Sequence, residues 1–258
     1  RLAAVVDVLK QRDLVAGHIS ERAADDKIVE QDEVPGTGRA VQQELDALDA
    51  DAEVTGTVVV TYGDVPLLTT ELLAELVATQ AADNNAVTVL TAVLDDAAGY
   101  GRILRDKKNG ISGIIEENDA DDAQKKIGEV NTGFLAAPAK ELRSWLKKVG
   151  NDNDKKEFYL TDIVALAVKD GFKIASFEAT EDEILGVNDR AQLAHLERIF
   201  QRRQALALMK QGLGLRDPAR FDLRGKLKFG QDCSVDVGGV MEGEVGLGSN
   251  GSIGAAGS

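Results

Sequence analysis

The fold class follows from one stretch of the chain, Thr57-Val58-Val59-Val60-Thr61-Tyr62-Gly63-Asp64. Its first six residues are β-branched or aromatic and predict a strand, which Gly63 ends. Working outward, segment 69–80 carries leucines at helical spacing, and segment 86–91 predicts another β-branched strand. A strand, a helix and a strand in this order predict one βαβ unit in an α/β domain with a largely parallel sheet.

The downstream part of the domain continues the same alternation. Segment 160–168 predicts a helix and segment 172–177 a closing strand. Asp189 with Gln192 three residues later predicts an N-cap. The helix behind it carries a series of apolar residues and ends before Gly212: Leu193, Leu196, Phe200, Leu206 and Met209. Its other side is crowded with charges, so both an arm between domains and a plain surface helix are open interpretations.

The last segment of the chain has a period of six. Large apolar residues recur at this interval, and a small or compact residue follows each of them after four positions. The large residues are Phe229, Val235, Met241, Leu247 and Ile253, and the compact ones are Cys233, Gly239, Val245, Gly251 and Gly257. This hexapeptide period predicts a parallel β-helix with three hexads in each coil and the large residues inside. A flexible Gly-rich tail would explain the composition but not the period.

Composition excludes several classes of function. The 258 residues and 43% hydrophobic content can supply a globular core. Lys+Arg 30 against Asp+Glu 44 gives a net charge of −14, so we expect neither nucleic acid nor membrane as a partner. No apolar run is long enough to cross a bilayer and no signal peptide is recognisable, so we expect a cytoplasmic protein. One cysteine and two distant histidines argue against a disulfide, a zinc site or Cys-His and Ser-His catalysis.

A series of short motifs occurs in one order along the chain. They are Gln31 with Gly36-Thr37-Gly38, Tyr62-Gly63-Asp64-Val65-Pro66-Leu67, Gly99-Tyr100-Gly101-Arg102-Ile103, Ile115-Glu116, Glu129-Val130-Asn131-Thr132-Gly133, Tyr159-Leu160-Thr161-Asp162, Gly186-Val187-Asn188 and the junction Leu215-Arg216-Asp217-Pro218-Ala219-Arg220-Phe221-Asp222-Leu223-Arg224-Gly225. In this order, with the hexads behind them, the motifs closely resemble the bifunctional N-acetylglucosamine-1-phosphate uridylyltransferase/glucosamine-1-phosphate acetyltransferase family. The resemblance covers essentially the whole chain.

The resemblance implies a fold and a division into domains. Residues 1–188 would form a Rossmann-like nucleotidyltransferase domain, residues 189–214 a helical arm, and residues 215–258 the junction and first coils of a left-handed parallel β-helix. It also implies the reaction of UTP with N-acetylglucosamine 1-phosphate, which yields UDP-N-acetylglucosamine and pyrophosphate with the help of Mg²⁺. The full-length protein would form a homotrimer through the β-helix and would also acetylate glucosamine 1-phosphate.

The sequence departs from the family pattern in two places. The family begins with a Gly-rich Leu-Ala-Ala-Gly-x-Gly-Thr-x-Met loop and a nearby Pro-Lys, which wrap the nucleotide phosphates, and neither occurs in this sequence. The expectation is that this chain alone is inactive. The later coils that carry the acetyltransferase site are also missing from it, so that activity is not expected of this chain.

The resemblance implies substrate contacts by Tyr62, Gly63 and Asp64 and, on the nucleotide side, by Gln31, Gly36 and Thr37. Glycines in Gly36-Thr37-Gly38 would let backbone amides approach the uracil edge, and Gln31 could bond the base through both amide groups. An ordinary turn is the alternative interpretation of this tripeptide.

On the sugar side, the resemblance implies binding by Gly101, Glu116 and Asn131. The carboxylate of Glu116 can accept hydroxyl protons, and the amide of Asn131 can donate and accept, which suits hydroxyls and an acetamido group. Taken alone, Glu116 beside Glu117 is also typical of a solvated acid.

A metal site is expected at Asp64, which follows the carboxyl end of a strand, where open α/β sheets bind ligands. Transfer of a nucleotidyl group needs no protein nucleophile, so Asp64 would act in catalysis as a ligand of Mg²⁺. An ordinary Gly-Asp turn is the alternative. By resemblance Asn188 is both a second metal ligand and a substrate contact, and it could also cap the following helix.

Two other functions stay open at this point. One is another sugar-1-phosphate nucleotidyltransferase with a β-helix, such as a producer of ADP-glucose or dTDP-glucose. The other is a sugar-nucleotide-binding protein without catalysis.

Overall fold

The computed structural model of the chain describes residues 6–7, 27–29, 31–82 and 86–255. The chain divides into two compact units. The first comprises Arg1–Gly63 and Leu68–Ile184, and the second comprises Asp64–Leu67 and Leu185–Ser258. The domain boundaries expected from the sequence stay predictions. In the described residues, no helix has the length and apolar character that a membrane span requires.

The first unit is a mixed α/β structure. Its helices are α1 (Thr37–Asp49), α2 (Thr70–Ala81), α3 (Ala139–Leu146), α4 (Asp162–Lys169) and α5 (Glu181–Ile184). Its strands are β1 (Val6–Asp7), β2 (Ile28–Val29), β3 (Thr57–Val60), β4 (Val87–Val93), β5 (Arg102–Arg105), β6 (Ile111–Ile115), β7 (Glu129–Pro138) and β8 (Ile174–Glu178). Strands β1 and β2 pair with each other in parallel.

Strand β7 determines the sheet of the first unit. The order is β6-β5-β7-β4-β8, with β3 also paired to β7. Strand β7 runs antiparallel to β3, β4 and β5, and β5 runs antiparallel to β6. Within this sheet the described parallel pair is β4 with β8. The prediction of a largely parallel sheet is therefore wrong, because β7 is inserted against the direction of its neighbours and makes the sheet mixed.

The strand predicted at residues 57–62 is shorter in the structure. Strands β3 and β4 are parallel to each other with α2 as their connection, but β7 lies between them. The pairing of β3 runs from Thr57 opposite Pro138 to Val60 opposite Leu135. Beyond that point β7 has an irregularity around Gly133, whose φ is +86° and where its register with β4 shifts. The partner backbone then leaves the ladder, so the strand ends at Val60 instead of Tyr62.

The predicted helices and the closing strand occur close to their expected bounds. Helix α2 begins behind Thr69, whose side chain accepts a hydrogen bond from the Leu72 N–H at 3.2 Å. Strands β4 and β8 and the helices α1, α3 and α4 contribute to one hydrophobic core, in which Leu142, Trp145 and Ile163 are almost completely buried. Burial of such side chains is the main source of stability for this unit.

The second unit consists of a long helix and short parallel strands. These are α6 (Arg190–Lys210), β9 (Gly214–Leu215), β10 (Asp222–Phe229), β11 (Ser234–Val235), β12 (Val240–Leu247) and β13 (Ser252–Ile253). Strand β10 pairs with β12 and strand β11 with β13, both in parallel and both with partners 18 residues apart, such as Asp222 with Val240. Eighteen residues are three hexads. The large hexad residues Phe229, Val235, Met241, Leu247 and Ile253 all lie in one hydrophobic cluster, whereas Gly257 lies outside the described residues.

Helix α6 has the predicted N-cap but a different buried face. The Asp189 side chain accepts from the Gln192 N–H at 2.8 Å, and the Gln192 Oε1 accepts from the Asn188 N–H at 2.6 Å. Of the expected apolar residues, Leu193, Phe200, Leu206 and Met209 are exposed, and the residues buried on the helix are Leu196, Gln201, Ala205 and Leu208. The prediction of the apolar face is therefore largely wrong.

A buried polar group explains the shift of this face. Gln201 is 2% exposed, and its amide bonds the backbone of Leu223 on β10 in both directions. Its Oε1 accepts from the Leu223 N–H at 2.8 Å, and its Nε2 donates to the Leu223 carbonyl at 3.2 Å. A buried amide that is satisfied on both sides can replace an apolar contact.

Two adjacent residues of β12 test the hexad core. Met241 is 4% exposed and Val240 is 57% exposed. Met241→Ala should lower the free energy of unfolding by about 2–4 kcal/mol, because it removes buried atoms and leaves a cavity. Val240→Ala, the control, should change it by less than about 0.5 kcal/mol. Urea denaturation followed by circular dichroism measures both, and equal losses would contradict the inward orientation of Met241.

Candidate functional site

The structure brings together the three residues expected on the sugar side. Gly101 precedes β5, Glu116 follows β6, and Asn131 lies in β7. The Asn131 N–H donates to the Gly101 carbonyl at 2.8 Å. A Cβ atom at Gly101 would lie 3.3 Å from the Glu116 Oε2, so the absence of a side chain leaves space beside this carboxylate. Three neighbouring strands thus place a carboxylate, an amide and open backbone in one group, here named the sugar-side group.

Internal hydrogen bonds orient the two polar members of the sugar-side group. The Thr161 hydroxyl donates to the Glu116 Oε1 at 2.8 Å. The Asn131 Oδ1 accepts from the Gly133 N–H at 3.2 Å. Within the described part of the chain, these contacts leave the Glu116 Oε2 as an acceptor and the Asn131 Nδ2 as a donor. Such a pair can bind a ligand that carries both hydroxyl donors and a carbonyl acceptor.

The surroundings of this group are acidic. Burial, followed by the negative charge of Glu116 and Asp119, raises the pKa of Asp162. Burial and then nearby carboxylates, led by Asp119, raise the pKa of Tyr159 to about 12. The Tyr159 hydroxyl is buried and forms no hydrogen bond with the described residues. Negative charge and burial both disfavour further anions here, which suits a neutral sugar ring more than a phosphate.

The glycines of Gly36-Thr37-Gly38 serve the packing of the first unit. Gly36 has a φ of +123°, and a Cβ atom there would lie 2.3 Å from the Phe158 carbonyl oxygen. The Gly38 N–H donates to that carbonyl at 2.8 Å, and the Thr37 Oγ1 accepts from the Leu160 N–H at 3.0 Å. The glycines therefore allow close backbone contact with the segment around Phe158. The Gly38 N–H is thus bonded within the protein, and the approach of this turn to a uracil edge stays a prediction.

The Gln31 side chain supports the same turn. Its Nε2 donates to the carbonyls of Val34 and Gly36 at 3.1 and 3.2 Å. The NH₂ group of Gln31 thus bonds the loop, and a contact of Gln31 with a base stays a prediction. Gly36 and Gln31 are half-buried, and Thr37 is exposed.

Tyr62 packs on the turn of strand β7. Its ring lies edge-on to Phe134 with centroids 6.0 Å apart. A Cβ atom at Gly133 would lie 1.9 Å from a ring carbon of Tyr62, so only glycine fits below this ring. Gly63 follows, and a side chain there would meet open space. The motif glycine at position 133 therefore fixes the place of Tyr62.

The two expected metal ligands belong to the second unit. The Val187 N–H donates to the Asp64 carbonyl at 2.9 Å, which places Asp64 beside the segment that ends in Asn188. A Cβ atom at Gly186 would lie 3.6 Å from the Asp64 Oδ2. Both Asp64 and Asn188 are exposed. Among the described residues no group of three or more His, Cys, Asp or Glu could hold a metal ion.

This donor set suits Mg²⁺ more than a transition metal. One carboxylate and one amide oxygen are hard ligands, and Mg²⁺ commonly takes one or two protein ligands while phosphates and waters supply the rest. The residues present therefore fit the cation that the resemblance implies.

Thr161 and Arg102 lie within the family motifs, but no role is predicted for either from the sequence. Thr161 orients Glu116 from a distance of 45 positions in the chain. Arg102 is 2% exposed. A charged residue inside a strand pattern was a possible signal, but arginine is usually exposed and the pattern alone does not show burial.

The fold of this chain is similar to the folds of solved nucleotide-sugar pyrophosphorylases. A crystal structure from Entamoeba histolytica, described as a candidate UDP-N-acetylglucosamine pyrophosphorylase, matches with a TM-score of 0.64. It is 11% identical, and the match covers 84% of this chain and 71% of the other. This likeness shows the fold.

Curated relatives then show the family. The chain is 54% identical over 214 residues to the bifunctional protein GlmU of Paenarthrobacter aurescens, a match covering 82% of the chain and 43% of the relative. It is 45% identical over 262 residues to GlmU of Methylococcus capsulatus, covering 98% of the chain and 55% of the relative. No protein-family model matches. The chain spans about half the length of the curated relatives it matches, and over this part it belongs to the GlmU family, as the motifs predicted.

Gly36 and Gly150 provide a matched test of the packing argument. A Cβ atom at Gly150 would meet nothing within 4 Å. Gly36→Ala should lower the free energy of unfolding by at least about 1–3 kcal/mol, from its backbone conformation alone. Gly150→Ala should have little effect or stabilise the protein slightly. Thermal denaturation compares the two, and a Gly36→Ala protein as stable as Gly150→Ala would refute the close contact with Phe158.

The Tyr159 hydroxyl predicts a pH dependence at the alkaline end. Because the folded state raises the pKa of Tyr159 from 10.0 to about 12, it holds the phenol proton more tightly than the unfolded chain does. This contribution to stability is complete below pH 10 and is lost as the pH rises towards 12. Tyr159→Phe removes the titration, and near neutral pH it should cost little because no hydrogen bond to a described residue is lost.

Urea denaturation at about pH 9 and about pH 11 measures this difference. The wild-type protein should lose more stability between the two values than Tyr159→Phe. Equal losses in both proteins would show that the phenol does not titrate differently on folding.

Proposed function

We propose that the full-length protein is a uridylyltransferase that converts UTP and N-acetylglucosamine 1-phosphate into UDP-N-acetylglucosamine and pyrophosphate. The observation that carries this proposal is the sugar-side group of Gly101, Glu116 and Asn131, in a chain 45–54% identical to GlmU proteins over most of its length. Its acceptor and donor match the hydroxyls and the acetamido carbonyl of this sugar.

The proposed reaction needs no nucleophile from the protein. A phosphate oxygen of the sugar phosphate attacks the α-phosphorus of UTP, and the bond to the departing pyrophosphate breaks. The protein contributes by positioning both substrates and by balancing charge. Glu116 and Asn131 would fix the sugar ring, and Gln31, Gly36, Thr37, Tyr62 and Gly63 would form the uridine side.

Asp64 and Asn188 would hold Mg²⁺. When bound, this cation supplies neutralisation of the phosphate charge. The need for local neutralisation follows from the chain itself, whose net charge of −14 repels two anionic substrates. The adjacent segment supports the role of Asp64, because the Val187 N–H holds the Asp64 carbonyl.

We further propose that the second unit contains the start of a left-handed parallel β-helix, with α6 as the arm before it. The repeated 18-residue register and the shared interior of the large hexad residues support this interpretation. A homotrimer through the coils and an acetyltransferase activity would belong to the full-length protein.

The direct test is an assay of pyrophosphate release by the full-length protein. UTP with N-acetylglucosamine 1-phosphate should be used far better than ATP or dTTP with glucose 1-phosphate. A preference for ATP or dTTP would assign another sugar nucleotidyltransferase, and binding of UDP-N-acetylglucosamine without turnover would indicate a non-catalytic protein.

Asp64→Asn tests the proposed role of Asp64 as a ligand of Mg²⁺. The variant keeps the shape of the side chain but removes its charge, so turnover should fall by about 10²–10³, as for other electrostatic contacts in the transition state. Asn188→Ala should lose less, since water can replace a neutral ligand of Mg²⁺. Asp182→Asn, at an exposed helix position, is the control and should keep normal turnover.

These rates are measured in the full-length protein over a range of Mg²⁺ concentrations. Near-normal turnover of Asp64→Asn at low Mg²⁺ would contradict the role of Asp64 as a ligand.

A further inference from the structure

A buried ion pair stands directly behind the sugar-side group. Arg102 follows Gly101 in the chain, and Glu117 follows Glu116. The Arg102 Nη2 lies 2.7 Å from the Glu117 Oε2, and the two side chains are 2% and 31% exposed. A guanidinium removed from water to this degree is costly unless it is paired and hydrogen-bonded. Core packing alone does not explain why β5 carries a buried guanidinium at this position.

The contacts of Arg102 reach each segment that carries a member of the sugar-side group. Its Nη1 donates to the Tyr100 carbonyl, in the turn before Gly101. Its Nη2 donates to the Lys125 carbonyl at 3.4 Å, in a short 3₁₀ turn that precedes β7 and Asn131. Through Glu117 it also holds the segment that leaves β6 behind Glu116. One side chain therefore joins three loops.

The Arg102 side chain lies on the face of the β5–β6 hairpin opposite the sugar-side group. Arg102 pairs with Ile115 across β5 and β6, so Gly101 and Glu116 share one face of this hairpin. Successive residues of a strand point to opposite faces. Arg102 therefore lies on the other face, and Glu117, in the turn after β6, joins it through the ion pair.

We propose that Arg102 and Glu117 are positioning residues that set the sugar selectivity of this site. Their ion pair holds Gly101, Glu116 and Asn131 at the spacing that the sugar requires, while the nucleotide side does not depend on it. This inference rests on the proposed function, because it presumes that the sugar-side group binds N-acetylglucosamine.

The chain offers a matched control on the same strand. Arg105 of β5 pairs with Glu129 of β7 through two contacts of 2.7 and 2.6 Å. These side chains are 29% and 21% exposed, and the contacts do not reach the turn before Gly101. Glu129→Gln therefore removes the same charge from an ion pair of the same sheet.

The experiment measures the affinities of UDP-N-acetylglucosamine and of UDP by isothermal titration calorimetry for each protein. In wild type the sugar should raise the affinity above that of UDP. Glu117→Gln should reduce this preference at least about fivefold while the affinity for UDP changes less than twofold. Glu129→Gln should keep the preference within twofold. Arg102→Lys should retain only part of the wild-type preference, because an ammonium group cannot reach three partners with the geometry of a guanidinium.

A double variant separates positioning from stability. Arg102→Met combined with Glu117→Leu replaces the ion pair with apolar side chains, a change that often preserves stability. It should fold with wild-type stability, measured by thermal denaturation, and still lack the preference for the sugar. Recovery of the preference together with stability would overturn the proposal and leave a purely structural role.

Two further outcomes are distinguishable. If wild type prefers UDP-N-acetylglucosamine but Glu117→Gln keeps that preference, or Glu129→Gln loses it equally, the positioning role is refuted and the proposed function stands. If wild type binds UDP-N-acetylglucosamine no more tightly than UDP, the proposed function fails and this inference fails with it.

Discussion

The insertion of strand β7 against the direction of its neighbours is the constraint on which the first unit depends. This ten-residue strand pairs with β3, β4 and β5 and so occupies the middle of the sheet. Its backbone is irregular at Gly133, where the β3 ladder has ended and Tyr62 packs on the glycine. Its Asn131 N–H bonds the Gly101 carbonyl and thereby closes the sugar-side group. The fold and the candidate site thus follow from one strand.

The second unit depends on a different regularity. Strand partners are 18 residues apart, so each hexad position pairs with the equivalent position three hexads later. The large residues of the hexads therefore share one hydrophobic cluster. The same unit includes Asp64–Leu67. Inside this unit the Arg203 Nη1 donates to the Leu67 carbonyl at 3.2 Å and the Val187 N–H donates to the Asp64 carbonyl. The segment that carries Asp64 is therefore supported by α6 and by the residues before it.

Local signals in the sequence predicted much of this structure. Asp189 is a cap whose effect lies within the next three residues, so α6 begins where the sequence places it. The helical spacing of leucines in segment 69–80 likewise predicts α2 close to its bounds. The hexads also predicted correctly which residues share a core, because the period itself encodes the stacking. Strand direction has no such local signal, and nothing within Glu129–Pro138 shows that this segment runs between β3 and β4.

The sequence indicated which residues form the sugar-side group but not the contacts that hold them together. The motifs named Gly101, Glu116 and Asn131, and the structure brings them together. The closeness of Gly36 and Gly38 to Phe158 depends on residues more than 100 positions apart, which a single sequence does not link. The burial of Arg102 is equally non-local, because three separate loops supply its partners. The roles of all predicted site residues in binding stay predictions.

A crystal structure of the protein with UDP-N-acetylglucosamine tests the central claim most directly. The account predicts sugar hydroxyl or acetamido atoms within hydrogen-bond distance of the Glu116 carboxylate and of the Asn131 amide, with the sugar ring beside Gly101. A ligand whose sugar lies away from these three residues while the protein keeps its fold would contradict it.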